Sequence, residues 1–259
     1  LDRTARRCQN GTRCPDKIQD ENSTSGSFVL RIRYIRRPHA GLSGKVFLLD
    51  LDNTMHLAST HILPEINRQM TRYLADHLEL DHQQASELRT RYWLRYGATL
   101  LGMMRHHQTN PHHFLANTHQ FTDLKTLSSR HGSVPHRLRA LNGVRIMLTN
   151  APRAYAVALC KELGLYRHLH AVIAIEDMVV HQTWRPKPAS ILWPHLKTKL
   201  KGRRTLLVDD TFGHLEQAAR HGIHTSWITF PGLGFKPRQL TGKVRHRIRH
   251  FEAIRTAKF

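Results

Sequence analysis

The chain has 259 residues, 40% hydrophobic and 23% charged, enough for one α/β domain with an insertion or two small domains. No apolar run approaches the roughly 18 residues that span a bilayer. The basic start carries no apolar h-region, and three cysteines (Cys8, Cys14, Cys160) make no disulfide framework, so a soluble protein of the reducing cytoplasm with no membrane partner is expected.

Forty Lys+Arg against 19 Asp+Glu give a formal charge of +21, much of it at the ends: residues 1–45 hold ten bases and four acids, residues 235–259 eight and one. Such segments can attract nucleic acid without sequence preference, so a nucleic-acid partner is expected only through them.

Residues 1–43 show loop chemistry (QNGTRCPDK, DENSTSGS) and read as a basic, disordered extension. The run 46–49 is continuously apolar, as in a strand buried on both faces. Pro64 can open a helix carrying Ile66, Met70, Tyr73, Leu74 and Leu78 at helical spacing. A second helix is predicted over 83–101, with shorter ones over 111–120 and 122–130. Strands then return at 144–148, 171–174, 205–208 and 225–228, separated by helices from Pro152 to Gly164, over 189–199 and over 212–221. Alternating strands and helices imply a Rossmann-like, doubly wound parallel sheet with right-handed crossovers. The predicted division is a core of 44–62 and 135–234, a helical insertion of 63–134 after the first strand, and a basic tail of 235–259.

Three predicted strands end in groups of chemical interest: Asp50 and Asp52 after the first, Thr149 and Asn150 after the second, Asp209 and Asp210 after the fourth. All strand C-termini of a parallel sheet lie on one edge, so these residues converge. Four crowded carboxylates resist ionisation unless a cation joins them, and a hard divalent ion with oxygen ligands, Mg²⁺ by preference, would do so. Lys187, in the loop WRPKPAS, could balance remaining negative charge.

The pieces LLDLDNT (48–54), IMLTN (146–150), RPKP (185–188) and LLVDDT (206–211) resemble, in order and spacing, the haloacid dehalogenase superfamily of aspartate-nucleophile phosphatases. The resemblance implies a nucleophilic Asp50 that becomes an aspartyl-phosphate and an Asp52 that acts as general acid and then base. It further implies that Thr149, Asn150 and Lys187 bind the phosphoryl group. Asp210 would be the main acidic Mg²⁺ ligand, with Asp209 beside it and Asp50 and the Asp52 backbone carbonyl completing the protein's share. His214 stands where some relatives carry a further acid.

The insertion resembles the superfamily's helical cap, and DNTMHLASTHILPEINRQMTRYL (52–74) with YWLRYGATLLGMMRHH (92–107) resemble the pyrimidine 5′-nucleotidase branch. The implied partner is a small phosphorylated metabolite, a pyrimidine nucleoside 5′-monophosphate first. Sugar phosphates, phosphoglycolate, phosphoryl transfer as in mutases, and a nucleic-acid-binding role without catalysis are the alternatives. Tyr92, Trp93, Tyr96, Met103 and Met104 could stack on a base, although cap packing is the ordinary role of such a group. Arg95 and Arg105 read as a solvated helix face. The spacing of His106, His107, His112 and His113 matches no metal-ligand pattern.

Overall fold

The computed structural model describes residues 30–38, 42–128, 133–230, 244 and 246–254. Its strands are β1 (Arg33–Tyr34), β2 (Lys45–Leu49), β3 (Val144–Leu148), β4 (Ala171–Ile173), β5 (Val179–Val180), β6 (Thr183–Trp184), β7 (Arg204–Asp209), β8 (His224–Ile228) and β9 (Arg247–Ile248). Seven of them form one sheet in the order β1-β4-β3-β2-β7-β8-β9, while β5 and β6 make a separate hairpin. β1 is antiparallel to β4; the other neighbours run parallel. From β2 the chain winds outward through β3 and β4, then returns to β7 on the other side of β2. The order therefore reverses between β2 and β7, and the C-terminal ends of those strands border the crevice where open α/β sheets bind ligands.

The continuous apolar runs have the predicted cause. Val46, Leu48, Ile146, Leu148 and Leu207 face one side of the sheet, and Phe47, Leu49, Met147, Leu206 and Val208 the other, all buried. Helices α8 (Leu192–Lys199) and α9 (Phe212–Arg220) contribute Leu192, Trp193, Leu196, Leu215 and Ala218 to the first cluster. Helices α6 (Val134–Ala140) and α7 (Arg153–Glu162) contribute Val134, Leu138, Ala156 and Leu159 to the second.

Between β2 and β3 lie α1 (Ile62–Leu78), α2 (His82–Tyr96), α3 (Thr99–His107), α4 (Pro111–Thr118) and α5 (Leu124–Leu127). Asp81 caps α2 by accepting the Gln84 N–H at 2.8 Å, and the Gln84 side chain returns to the Asp81 N–H, a reciprocal capping box. Asn110 caps α4 ahead of Pro111. The single helix expected over 83–101 is two helices, because Gly97 adopts φ +82° and its N–H closes on the Trp93 carbonyl. Its missing side chain is also needed: a Cβ there would lie 2.9 Å from Pro188 Cδ. Gly102 lets the Tyr92 ring lie against α3, where a Cβ would fall 2.2 Å from Cγ. Tyr92 and Met103 are buried in the packing of this block, the ordinary role of such residues. Trp93 is exposed.

The basic ends depart in part from the picture of free segments. Leu30 is buried, the Ile35 N–H donates to the His170 carbonyl, and Arg33 Nε pairs with Asp177 at 2.9 Å, so residues 30–38 cover the β4 edge. At the other edge, Phe251 and Ile254 are buried beyond β9, and the Arg137 guanidinium donates to the Ile254 carbonyl. Apolar anchors at 30, 251 and 254 hold these stretches despite their charge. The expectation of disorder over 1–29 lies outside the described residues, as does most of 231–245. No helix among the described residues is long and apolar enough to cross a membrane.

Leu48 is fully buried in the central strand, so Leu48→Ala should lower the unfolding free energy by about 2–5 kcal/mol. A urea titration showing an unchanged midpoint would contradict this packing.

Candidate active site

The site begins where β2 stops. The Asp50 N–H still donates to the Val208 carbonyl at 3.0 Å, which fixes this backbone beside β7. The chain then turns sharply: the Thr54 and Met55 N–H groups return to the Leu51 carbonyl, and Asn53 takes the left-handed conformation at φ 56°, which asparagine tolerates better than most residues. Asn53 Oδ1 accepts from the Ser59 N–H at 2.9 Å, and Thr54 Oγ1 donates to Asp50 Oδ2 at 3.3 Å.

Across the crevice, β7 delivers Asp209, fully buried, and Asp210, partly buried. Carboxylate oxygens of Asp50, Asp209 and Asp210 lie within 4.8 Å of one another. Lys187 enters from the loop before α8. Its side chain is 1% exposed, and the ammonium donates to Asp50 Oδ1 and Asp209 Oδ2, each at 2.7 Å. Asn150, just past β3, holds that loop: its Oδ1 accepts the Lys187 N–H at 3.0 Å and its Nδ2 donates to the Lys187 carbonyl at 2.8 Å. Both ends of the Asn150 amide are thus committed to Lys187. Thr149 is buried, and its Oγ1 accepts from the Ala151 N–H at 3.1 Å, leaving the hydroxyl proton to donate.

The electrostatics follow from burial and charge order. Burial raises Asp50 to about 7; Lys187 opposes this, and the Asp209 charge adds to it. Asp210 is pushed well above the carboxylate range by burial and by the charges of Asp209 and Asp50. Asp209 is also desolvated, yet His214 and Lys187 hold it below its ordinary value. Burial opposes the Lys187 charge, but Asp209 and Asp50 raise it above the usual lysine value. Three carboxylic groups beside one ammonium thus hold protons on Asp50 and Asp210 that a bound cation would displace. All the donors are hard oxygens, so the group fits a divalent cation of the Mg²⁺ type.

Around the predicted residues stand participants that the sequence did not assign a role, together with His214, which it singled out. His214 Nδ1 lies 3.0 and 3.1 Å from the two Asp209 oxygens, and the Thr211 N–H donates to Oδ1 at 2.8 Å. With Lys187, these saturate Asp209. Asp52 sits within the turn, where its Oδ1 accepts from Tyr155 Oη at 2.6 Å and His56 Nε2 at 2.8 Å. Burial opposes ionisation of Asp52, but the His56 and Tyr155 hydrogen bonds hold it below its ordinary value. His119, half-buried beside the Tyr155 ring with centroids 5.8 Å apart, is lowered to about 4 by desolvation against the pull of Asp52. Tyr155 lies 103 residues from Asp52 in sequence; only the fold joins them.

A family model for haloacid dehalogenase-like hydrolases matches residues 45–222. The chain belongs to this family. Hydrolases of this kind include two curated relatives, the GMP/IMP nucleotidase YrfG of Escherichia coli (strain K12) and that of Shigella flexneri, each 36% identical over 106 residues. The match covers 39% of this chain and 45% of either relative, so it spans less than half of their length. A Thermotoga maritima protein assigned to the beta-phosphoglucomutases superimposes with a TM-score of 0.50 at 13% identity, covering 80% of this chain and 95% of that one; the likeness is one of fold.

As a haloacid dehalogenase-like hydrolase without metal, the protein should lose stability as pH rises from the ordinary carboxylate range to about 7. The Asp50 carboxyl is raised in the fold, so its contribution is fully present below its ordinary value and is lost as pH rises through about 7. Asp50→Asn should flatten this part of the pH dependence in chelator-treated protein; a parallel decline in both proteins would contradict the placement of Asp50.

Proposed function

We propose that this chain is a Mg²⁺-dependent phosphomonoester hydrolase working through an aspartyl-phosphate on Asp50, with a nucleoside 5′-monophosphate as substrate. One observation carries the reading: a carboxylate at the end of a central strand, 2.7 Å from a buried ammonium and beside two further acids. In the first step an Asp50 oxygen attacks phosphorus, the ester P–O bond breaks, and Asp52, which must enter this step in its protonated form, gives that proton to the leaving oxygen. In the second, water attacks the aspartyl-phosphate, Asp52 takes a proton from that water, and the Asp50–phosphorus linkage breaks. The sum is ester plus water to alcohol plus phosphate. Lys187 and the Thr149 hydroxyl stabilise charge on the phosphoryl oxygens. Asn150 serves the phosphoryl group through Lys187, whose backbone it clamps.

Mg²⁺ would be held by Asp50, Asp210 and the Asp52 backbone carbonyl. Asp209 is the weaker candidate, because Lys187, His214 and the Thr211 N–H occupy its oxygens. When bound, the ion neutralises phosphoryl oxygens and allows the neighbouring acids to ionise together.

Residues 63–134 act as a cap over the core. Support comes from Gly97, whose backbone brings the α2–α3 elbow against Pro188, the residue after Lys187. The sequence resemblance favours a pyrimidine base. A 6-oxopurine is the second reading, favoured by the GMP/IMP activity in the relatives' name. A mutase reading draws only a shared fold from the Thermotoga maritima neighbour.

Phosphate release from UMP, CMP, GMP, IMP and sugar phosphates should require Mg²⁺ and fall by more than about 10³-fold in Asp50→Asn, a range within that of nucleophile loss. The ranking of UMP and CMP against GMP and IMP decides the base. Activity retained by Asp50→Asn would refute the covalent route.

A further inference from the structure

Two side chains with no place in the phosphoryl chemistry converge on the residue that moves its proton. Tyr155, 3% exposed in the first turn of α7, points its hydroxyl at Asp52 Oδ1. His56, wholly buried, turns Nε2 to the same oxygen, and its Nδ1 has no hydrogen-bond partner among the described residues. A buried imidazole with one unsatisfied nitrogen is costly to keep, so the bond to Asp52 is its compensation. Oδ2 of Asp52 accepts no hydrogen bond among the described residues. Rotating the carboxylate to exchange its oxygens would break two bonds at once.

We infer that Tyr155, seconded by His56, is a positioning residue that fixes Oδ1 of Asp52 and so presents Oδ2 as the oxygen that exchanges the proton with the leaving group. The inference rests on the proposed hydrolase reading and adds to it the residues that aim its general acid. Tyr155 is itself held from the helical block. Its ring lies 5.3 Å from that of Phe121 and 5.8 Å from that of His119, both in the segment between α4 and α5. The aim of Asp52 therefore depends on cap residues that need not touch substrate. Burial and the Asp52 charge raise the phenol well above its ordinary value, so it stays a donor throughout the neutral range.

The test separates aiming from folding by leaving group. An alkyl phosphate such as UMP expels a basic alkoxide that needs the Asp52 proton, whereas p-nitrophenyl phosphate expels a stable anion that scarcely needs one. General acid catalysis contributes roughly 10²–10⁴-fold, so a misaimed Asp52 should cost a part of that. With full-length protein and Mg²⁺, Tyr155→Phe should lower the ratio of kcat/KM for UMP to kcat/KM for p-nitrophenyl phosphate by about tenfold or more. Because a misfolded fraction lowers both values equally, the ratio is blind to it. His56→Asn should shift the ratio in the same direction. An unchanged ratio in Tyr155→Phe would overturn the positioning role while leaving the hydrolase reading intact. Failure of wild type to hydrolyse either ester would overturn both.

Discussion

Everything at this site is arranged around one buried ammonium. The Lys187 Nζ lies 2.7 Å from carboxylates on two adjacent central strands, and it is sealed from water. Two such acids side by side in a desolvated crevice would repel and take up protons. With Lys187 between them, Asp209 stays ionised while Asp50 sits near neutrality. The arrangement demands accurate placement of a long, flexible side chain. Asn150 supplies it by fixing the lysine's backbone from the end of β3, and His214 and the Thr211 N–H fix Asp209 from the start of α9.

The sheet makes this geometry possible. β2 and β7 are neighbours only because the winding reverses between them, and their paired ends set Asp50 opposite Asp209. β3 brings Thr149 and Asn150 alongside. The helical block returns to the same edge at two places: the Gly97 elbow against Pro188 and the Phe121–His119 segment against Tyr155. Acid, ammonium and helical block are thus mechanically connected, although they come from separate stretches of chain.

Much of this was legible in the sequence, for physical reasons. Strands buried on both faces announce themselves as unbroken apolar runs, and scarce acids at their ends stand out in a basic chain. Asp50, Asp209 and Asp210 were readable in that way and Lys187 from its loop and the resemblance, and they meet. Other features were not. The break at Gly97 depends on contact with Pro188, distant in sequence. β5 and β6 are two residues each, too short to leave a period. Tyr155 and His56 look like ordinary apolar-face residues until tertiary structure brings them to Asp52. Arg33, Arg247 and their neighbours read as solvated chain because charge masks the few apolar anchors, Leu30, Phe251 and Ile254, that bind these stretches to the sheet edges. Asn150 was expected on the phosphate; the hydrogen bonds of its side-chain amide to the Lys187 backbone carried no sequence signal.

The most direct test of the account is to find the phosphoryl group itself. The protein would be incubated with Mg²⁺ and substrate, quenched, and reduced with borohydride, which converts an aspartyl-phosphate to homoserine, and the modified peptide would be sequenced by mass spectrometry. The account predicts homoserine at position 50, dependent on both substrate and metal. Phosphate release without modification of Asp50, or modification of Asp52, Asp209 or Asp210 in its place, would contradict it.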